Sequence, residues 1–235
     1  MRLLASLPHH MAATDDDGLR IHRYAEGRSE ALLDGRPVAV EVSTGHPWQG
    51  RLALIVSRSP TGRHWTLSWR LPQWSSCFTI TVDGVPVAQD VSEGWLCLRR
   101  EWREGAQVVL DLDLEPRLTR AAPQVDAVRG AVAVERGPLV YCLEQTDLGG
   151  GGLDDIVLDT EVPLRAVLRD DLLGGVTAVV APGSRHTPAG TAGWWPYATG
   201  RPRSSAARPE LTAIPYYAWA NREEGSMPVW IPAAH

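Results

Sequence analysis

No lysine occurs anywhere in this chain, and phenylalanine occurs once. All 23 basic residues are therefore arginine, set against 28 aspartates and glutamates, for a formal charge of -5. The arginines are scattered rather than gathered into a stripe. That argues against a nucleic-acid partner, whose proteins carry a basic footprint. Long apolar runs are also missing. No stretch approaches the ~18 residues of a membrane helix. The opening MRLLASL is broken by Pro8, His9 and His10 before it reaches the ~7–15 apolar residues of a signal-peptide core. The expectation is a cytoplasmic chain with no membrane partner. Cysteine is scarce and odd in number: Cys77, Cys97 and Cys142, with no CxxC pair. Neither a zinc knuckle nor a disulfide framework is indicated, and three buried thiols in a reducing compartment are expected.

The usual catalytic signatures are missing as well. GGGG (149–152) is followed by no GKS/T and belongs to no GxGxxG, so it cradles no phosphate. There is no GxSxG elbow and no HExxH helix. TDDDG (14–18) resembles the start of a calcium loop. However, Ala13 and Tyr24 occupy positions where an EF-hand needs oxygen ligands, so a polar turn is expected instead. His9 and His10 are adjacent and would point about 100° apart on a helix, so a surface or interface role is expected. Glu135, Glu144, Asp154, Asp155, Asp170 and Asp171 are carboxylates of the kind a glycosidase uses in facing pairs. Nothing in the sequence pairs any two of them.

What is present is alternation. Leu3, Leu4, Leu7 and Met11 share a helical stripe, but after Gly18 the period becomes two. Val38, Val40 and Val42 face one way in PVAVEV. Trp65, Leu67, Trp69 and Leu71 share a face in WTLSWRL. Phe78, Ile80 and Val82 lead into Asp83-Gly84, a hairpin signal. Val108, Leu110, Leu112 and Leu114 oppose Asp111, Asp113 and Glu115. A second set follows in GAVAVERGPLVYCLE, PLRAVLRDDLLGGVTAVVAPG, LTAIPYYAWANR and MPVWIP, with an irregular excursion over 182–210. These short runs punctuated by Gly and Pro predict an all-β chain of two antiparallel β-sandwich domains, 19–120 and 121–235, with a short N-terminal helical segment over 1–18. Tryptophan is frequent, at 10 residues. In AGWWPYATG (192–200), Trp194, Trp195 and Tyr197 are candidates for stacking on sugar rings, since flat aromatic faces suit them. Filling a gap beside a neighbouring domain is the plainer role.

Several stretches together resemble one family: RLLASLPHHMAATDDDGLRIHRYAEG, EVSTGHPWQGRLALIV, WRLPQWSSCFTITVDGVPV, GWLCLRREWREGAQVVLDLDLEPRL, VDAVRGAVAVERGPLVYCLEQ and LTAIPYYAWANREEGSMPVWIP. They are similar to the C-terminal part of glycoside hydrolase family 127, whose best-known activity is β-L-arabinofuranosidase. The resemblance implies an (α/α)6 catalytic barrel ahead of the β-domains. That barrel would use a cysteine nucleophile on a zinc held by cysteines and a glutamate, with another glutamate as acid/base. The family's Cys-Cys-Pro-Pro motif lies just before the segment matching RLLASLPHHM, which here begins at Met1. Cys77, Cys97 and Cys142 do not match the family's cysteines. The expectation is thus no catalytic residue, no metal ligand and no cofactor in this chain, with residues 1–18 the remnant of the barrel's last helix. The partner would be the barrel itself, in cis or in trans. An arabinose-containing glycan or a second copy of the chain are further candidates. The rival expectations are a carbohydrate-binding module, a structural or dimerisation module, and a truncated gene product.

Overall fold

A computed structural model describes residues 5–88, 90–149, 152–187, 203–204 and 209–234. The chain divides into two compact units, Met1–Leu114 and Glu115–His235. Both are all-β.

The first unit holds strands β1 (Ala12–Thr14), β2 (Gly18–Ile21), β3 (Gly27–Leu33), β4 (Arg36–Thr44), β5 (Arg51–Arg58), β6 (His64–Arg70), β7 (Phe78–Val82), β8 (Val85–Pro86), β9 (Val91–Ser92), β10 (Trp95–Glu101) and β11 (Gln107–Leu112). They form two sheets, ordered β1-β2-β6-β10-β9 and β3-β4-β5-β11-β7-β8. The alternation seen in the sequence sets their inner faces. Val38, Val40, Leu52, Leu54, Val108 and Leu110 from one sheet meet Trp65, Leu67, Trp69, Leu96 and Leu98 from the other in one continuous core. Trp102 joins that core and donates from Nε1 to the Trp65 carbonyl at 3.1 Å. Trp65 donates in turn to Ser59 Oγ at 3.0 Å. Both indoles are therefore buried without an unpaired N–H.

The N-terminal segment departs from expectation. Of its helical stripe, Leu3 and Leu4 lie outside the described residues. A 3₁₀ turn spans Leu7–His10. Residues 12–14 are not helical but pair as a strand with β2, Ala12↔Ile21 to Thr14↔Leu19. The polar turn between them is built by Asp15, whose Oδ1 accepts the backbone N–H groups of Asp17 and Gly18, both at 2.9 Å. This side chain imitates a backbone turn, which is how TDDDG ends the segment. β2 then pairs with β6 in parallel, Gly18↔Thr66 to Ile21↔Trp69, inside sheets that are otherwise antiparallel.

The second unit holds β12 (Pro116–Thr119), β13 (Ala131–Arg136), β14 (Leu139–Leu143), β15 (Ile156–Leu158), β16 (Arg165–Arg169), β17 (Val176–Thr187), β18 (Arg203–Ser204), β19 (Glu210–Pro215) and β20 (Trp230–Pro232). β12 pairs with β13, Pro116↔Arg136 to Thr119↔Ala133. Residues 116–119 thus pair within this unit, while the expected domain bounds meet at 120 and 121. The strand β17 also runs through residues 182–187, into the stretch expected to be irregular.

Its hydrogen bonding is continuous, in the order β12-β13-β14-β19-β17-β15. β20 pairs with β13, and Leu158 bridges Ala233 in parallel. The second unit is thus one hydrogen-bonded sheet network, where the first unit stacks two sheets. Covering strand edges in this way removes sites for stray pairing. The two faces of the sheet are both buried along β14 and β19. Tyr141, Leu143 and Ala213 point into the main core, while Cys142 and Ile214 point to the opposite side and pack with Leu172, Val176 and Ala218.

Candidate functional site

Two stretches that stand out in the sequence, RGPLVYCLE and LTAIPYYAWANR, are brought together by β14 and β19. Their register is Tyr141↔Pro215, Cys142↔Ile214 and Leu143↔Ala213. This places Glu144, just past β14, against the loop that follows β19. The Glu144 side chain is 5% exposed and faces Arg222. Arg222 Nε donates to Glu144 Oε2 at 2.7 Å, and its Nη2 also reaches that oxygen. Nη1 and Nη2 donate to the two carboxylate oxygens of Asp147, each at 2.7 Å. The other Glu144 oxygen accepts the Ala220 N–H at 3.2 Å. One guanidinium thus serves two carboxylates, and the fork geometry explains why arginine holds this position. Both charge-assisted hydrogen bonding and the Asp147 and Glu144 charges raise the Arg222 pKa above its ordinary value.

Each carboxylate oxygen of Glu144 is engaged by a donor, which ties the end of β14 to the chain beyond β19. The cluster fixes a loop. That loop carries Tyr216, Tyr217 and Trp219, which are all exposed. The Tyr216 and Trp219 rings stack with centroids 6.0 Å apart and an interplanar angle of 16°.

Of the other carboxylates singled out by the sequence, Glu135 and Asp171 are each engaged by an arginine. Glu135 accepts from Arg117 Nη2 at 2.5 Å and from Thr119 Oγ1 at 2.8 Å. Asp171 is held by Arg169 through two bonds of 2.8 Å, and that contact lowers its pKa to about 2. His9 and His10 lie on the exposed 3₁₀ turn. Trp194, Trp195 and Tyr197 lie outside the described residues.

The cysteines are not three alike. Cys77 is exposed, Cys97 half-buried and Cys142 buried, and all are free. Cys77 sits in the loop before β7, with Sγ 3.7 Å from Asp113 Oδ2. Cys97 faces its cross-strand neighbour Ser68, whose hydroxyl lies 3.5 Å from the sulfur. Burial, reinforced by the Glu144 charge, pushes the Cys142 thiol up to about 12. A zinc-bound nucleophile requires the opposite, a thiolate at neutral pH. Among the described residues no three His, Cys, Asp or Glu side chains come together as a metal site. The zinc chemistry implied by the family resemblance therefore does not fit the residues described here. Thiol labelling checks this arrangement. Cys77 should react with a small disulfide reagent fastest, and Cys142 only on unfolding, even at pH 9. Labelling of Cys142 in the folded chain at a rate near that of Cys77 would contradict the placement.

Comparison with known proteins now decides the family. Residues 18–114 match the family model "Beta-L-arabinofuranosidase, GH127 middle domain". Residues 116–232 match "Glycoside hydrolase family 127 C-terminal domain". This chain belongs to glycoside hydrolase family 127. A non-reducing end β-L-arabinofuranosidase of Bifidobacterium longum subsp. longum is 33% identical over 97% of this chain, but over only 35% of its own length. The crystal structure of a GH127 β-L-arabinofuranosidase from Geobacillus stearothermophilus T6 superposes with a TM-score of 0.86 at 34% identity. That match covers 99% of this chain and 36% of the other. A further GH127 β-arabinofuranosidase structure gives 0.81 at 30% identity, covering 99% and 37%. The GH127 chain described here therefore spans about a third of the relatives it matches. Among the described residues no helix is long and apolar enough to cross a membrane.

Proposed function

We propose that this chain is the non-catalytic middle and C-terminal β-region of a GH127 enzyme that hydrolyses terminal β-L-arabinofuranosides or related glycosides. The observation that carries the reading is the match itself. The chain aligns with two non-barrel family domains and with little more than a third of each relative. On this reading the chemistry comes from a catalytic barrel, in cis or in trans. The exposed Tyr216, Tyr217 and Trp219, on a loop held by Arg222, supply an aromatic surface of the kind that packs against another domain. Free cysteines support a reducing, cytoplasmic setting.

The test is direct. The purified chain, with and without added zinc, should show no turnover of an aryl β-L-arabinofuranoside. Turnover that survives further purification and disappears on unfolding would refute the reading.

A further inference from the structure

Outside the sites above, the ends of three strands in the first unit converge. The chain leaving β2 supplies His22, Arg23 and Tyr24. His46 follows β4, in the GHPWQG turn. Arg70 ends β6, and Leu71 to Trp74 follow it. Together they line a recess of about 410 Å³, within the roughly 300–1,000 Å³ of small-molecule sites and near the lower end, where a single ring belongs.

One wall is aromatic. The Tyr24 ring meets His46 edge-on, with centroids 5.4 Å apart and planes at 85°. His46 stacks on Trp74, at 6.0 Å and 14°. The Tyr24 hydroxyl donates to the Arg70 carbonyl, which ties two of the strand ends together. Burial lowers the His46 pKa, so at neutral pH the imidazole is an uncharged ring between two others.

Two cationic residues also line it, beside His22, Leu71, Pro72 and Gln73. Arg23 and Arg70 are among its lining residues, and no aspartate or glutamate is. Among the described residues neither arginine has a carboxylate partner; the nearby Arg20, by contrast, is paired with Asp15 and lies over Trp95. The field is felt by His22, whose pKa is lowered by burial and then by Arg20, Arg70 and Arg23. Uncompensated cations beside flat aromatic faces form a specific combination. The faces stack on a ring, and the guanidinium forks take a carboxylate in bidentate fashion.

We propose that this recess binds an acidic sugar residue, a hexuronate ring, stacked on the aromatic wall with its carboxylate on Arg70 and Arg23. The site would add recognition of charged glycan units to the chain. It stands on the recess alone, so it can fail while the reading of the chain as non-catalytic holds, and the reverse.

The test is calorimetric or NMR titration of the intact chain with galacturonate and glucuronate, their methyl esters, glucose and inorganic phosphate. Saturable binding of a free acid is expected, weakened roughly tenfold or more in its ester and in Arg70→Gln, the loss of one charge-assisted contact. Trp74→Ala should weaken it similarly. Arg70 is exposed, so its replacement leaves the core intact and keeps the test decisive if the tryptophan variant folds poorly. Absence of binding, equal binding of glucose or the esters, phosphate competing as well as the sugar acids, or indifference to Arg70→Gln would each overturn the proposal.

Discussion

Replacing Arg222 by alanine should destabilise the chain by about 3–5 kcal/mol, the usual consequence of removing one partner from a buried charge cluster. Glu144 is the reason. Its side chain is 5% exposed, and without the guanidinium its carboxylate would keep only the Ala220 N–H as a donor among the described residues. A carboxylate left in that position must remain charged without a partner or take up a proton, and either outcome favours the unfolded chain. Asp147 is more accessible and would recover water, so most of the loss traces to Glu144. Urea unfolding of the two forms measures it. A second comparison separates the charge from the shape. Glu144→Gln in the Arg222→Ala background should recover part of the loss, because a neutral amide carries no buried charge. A loss below about 1 kcal/mol, the value of an exposed ion pair, would show that the cluster is not buried in the folded chain.

This cluster also marks what a sequence can and cannot disclose. Strand faces were legible because a period of two is local. Val38, Val40 and Val42 are buried as the alternation implies, as are Trp65, Leu67 and Trp69. Asp83-Gly84 announced its hairpin, and Val82↔Val85 closes it. The same signal stood at Asp34-Gly35, between β3 and β4. It was obscured because GRSEALL is an edge strand that buries only Leu33 fully. An edge carries few apolar residues, so its alternation is faint. Ala12–Thr14 was hidden for a related reason: three small residues beside a helical stripe carry no period. Contacts distant in the chain were not legible at all. Glu144 and Arg222 lie 78 residues apart, and their meeting depends on the β14–β19 register. The recess at His46 draws on three separate strand ends. The family resemblance identified the stretches that matter, RGPLVYCLE and LTAIPYYAWANR, but it did not show that the last residue of each would hold the other.

Gly18→Ala should be nearly as damaging as the arginine change, through sterics rather than charge. β2 runs parallel to β6, and at Gly18 the two backbones approach so closely that an added Cβ would overlap the Thr66 carbonyl oxygen. The obstacle is backbone, which cannot rotate aside as a side chain can. The pair must separate locally, and β2 carries Leu19 and Ile21, each 2% exposed. Freeing both would forfeit ~3–6 kcal/mol, at about 1.5–3 kcal/mol for each buried aliphatic side chain. The Thr66 N–H bond to the Asp17 carbonyl, at 2.9 Å, lies at the same junction. Gly152→Ala is the matched control: its nearest neighbour would be 3.8 Å away, so a change within about 0.5 kcal/mol is expected. Thermal and urea unfolding of both variants against the parent chain measure the difference. If Gly18→Ala proves as mild as the control, β2 is not packed against β6 in solution. Residues 12–21 would then be an attached segment rather than part of the first sheet. If it is severe, the segment whose sequence reads as a helical remnant is as much a part of the first sheet as the strands of its core.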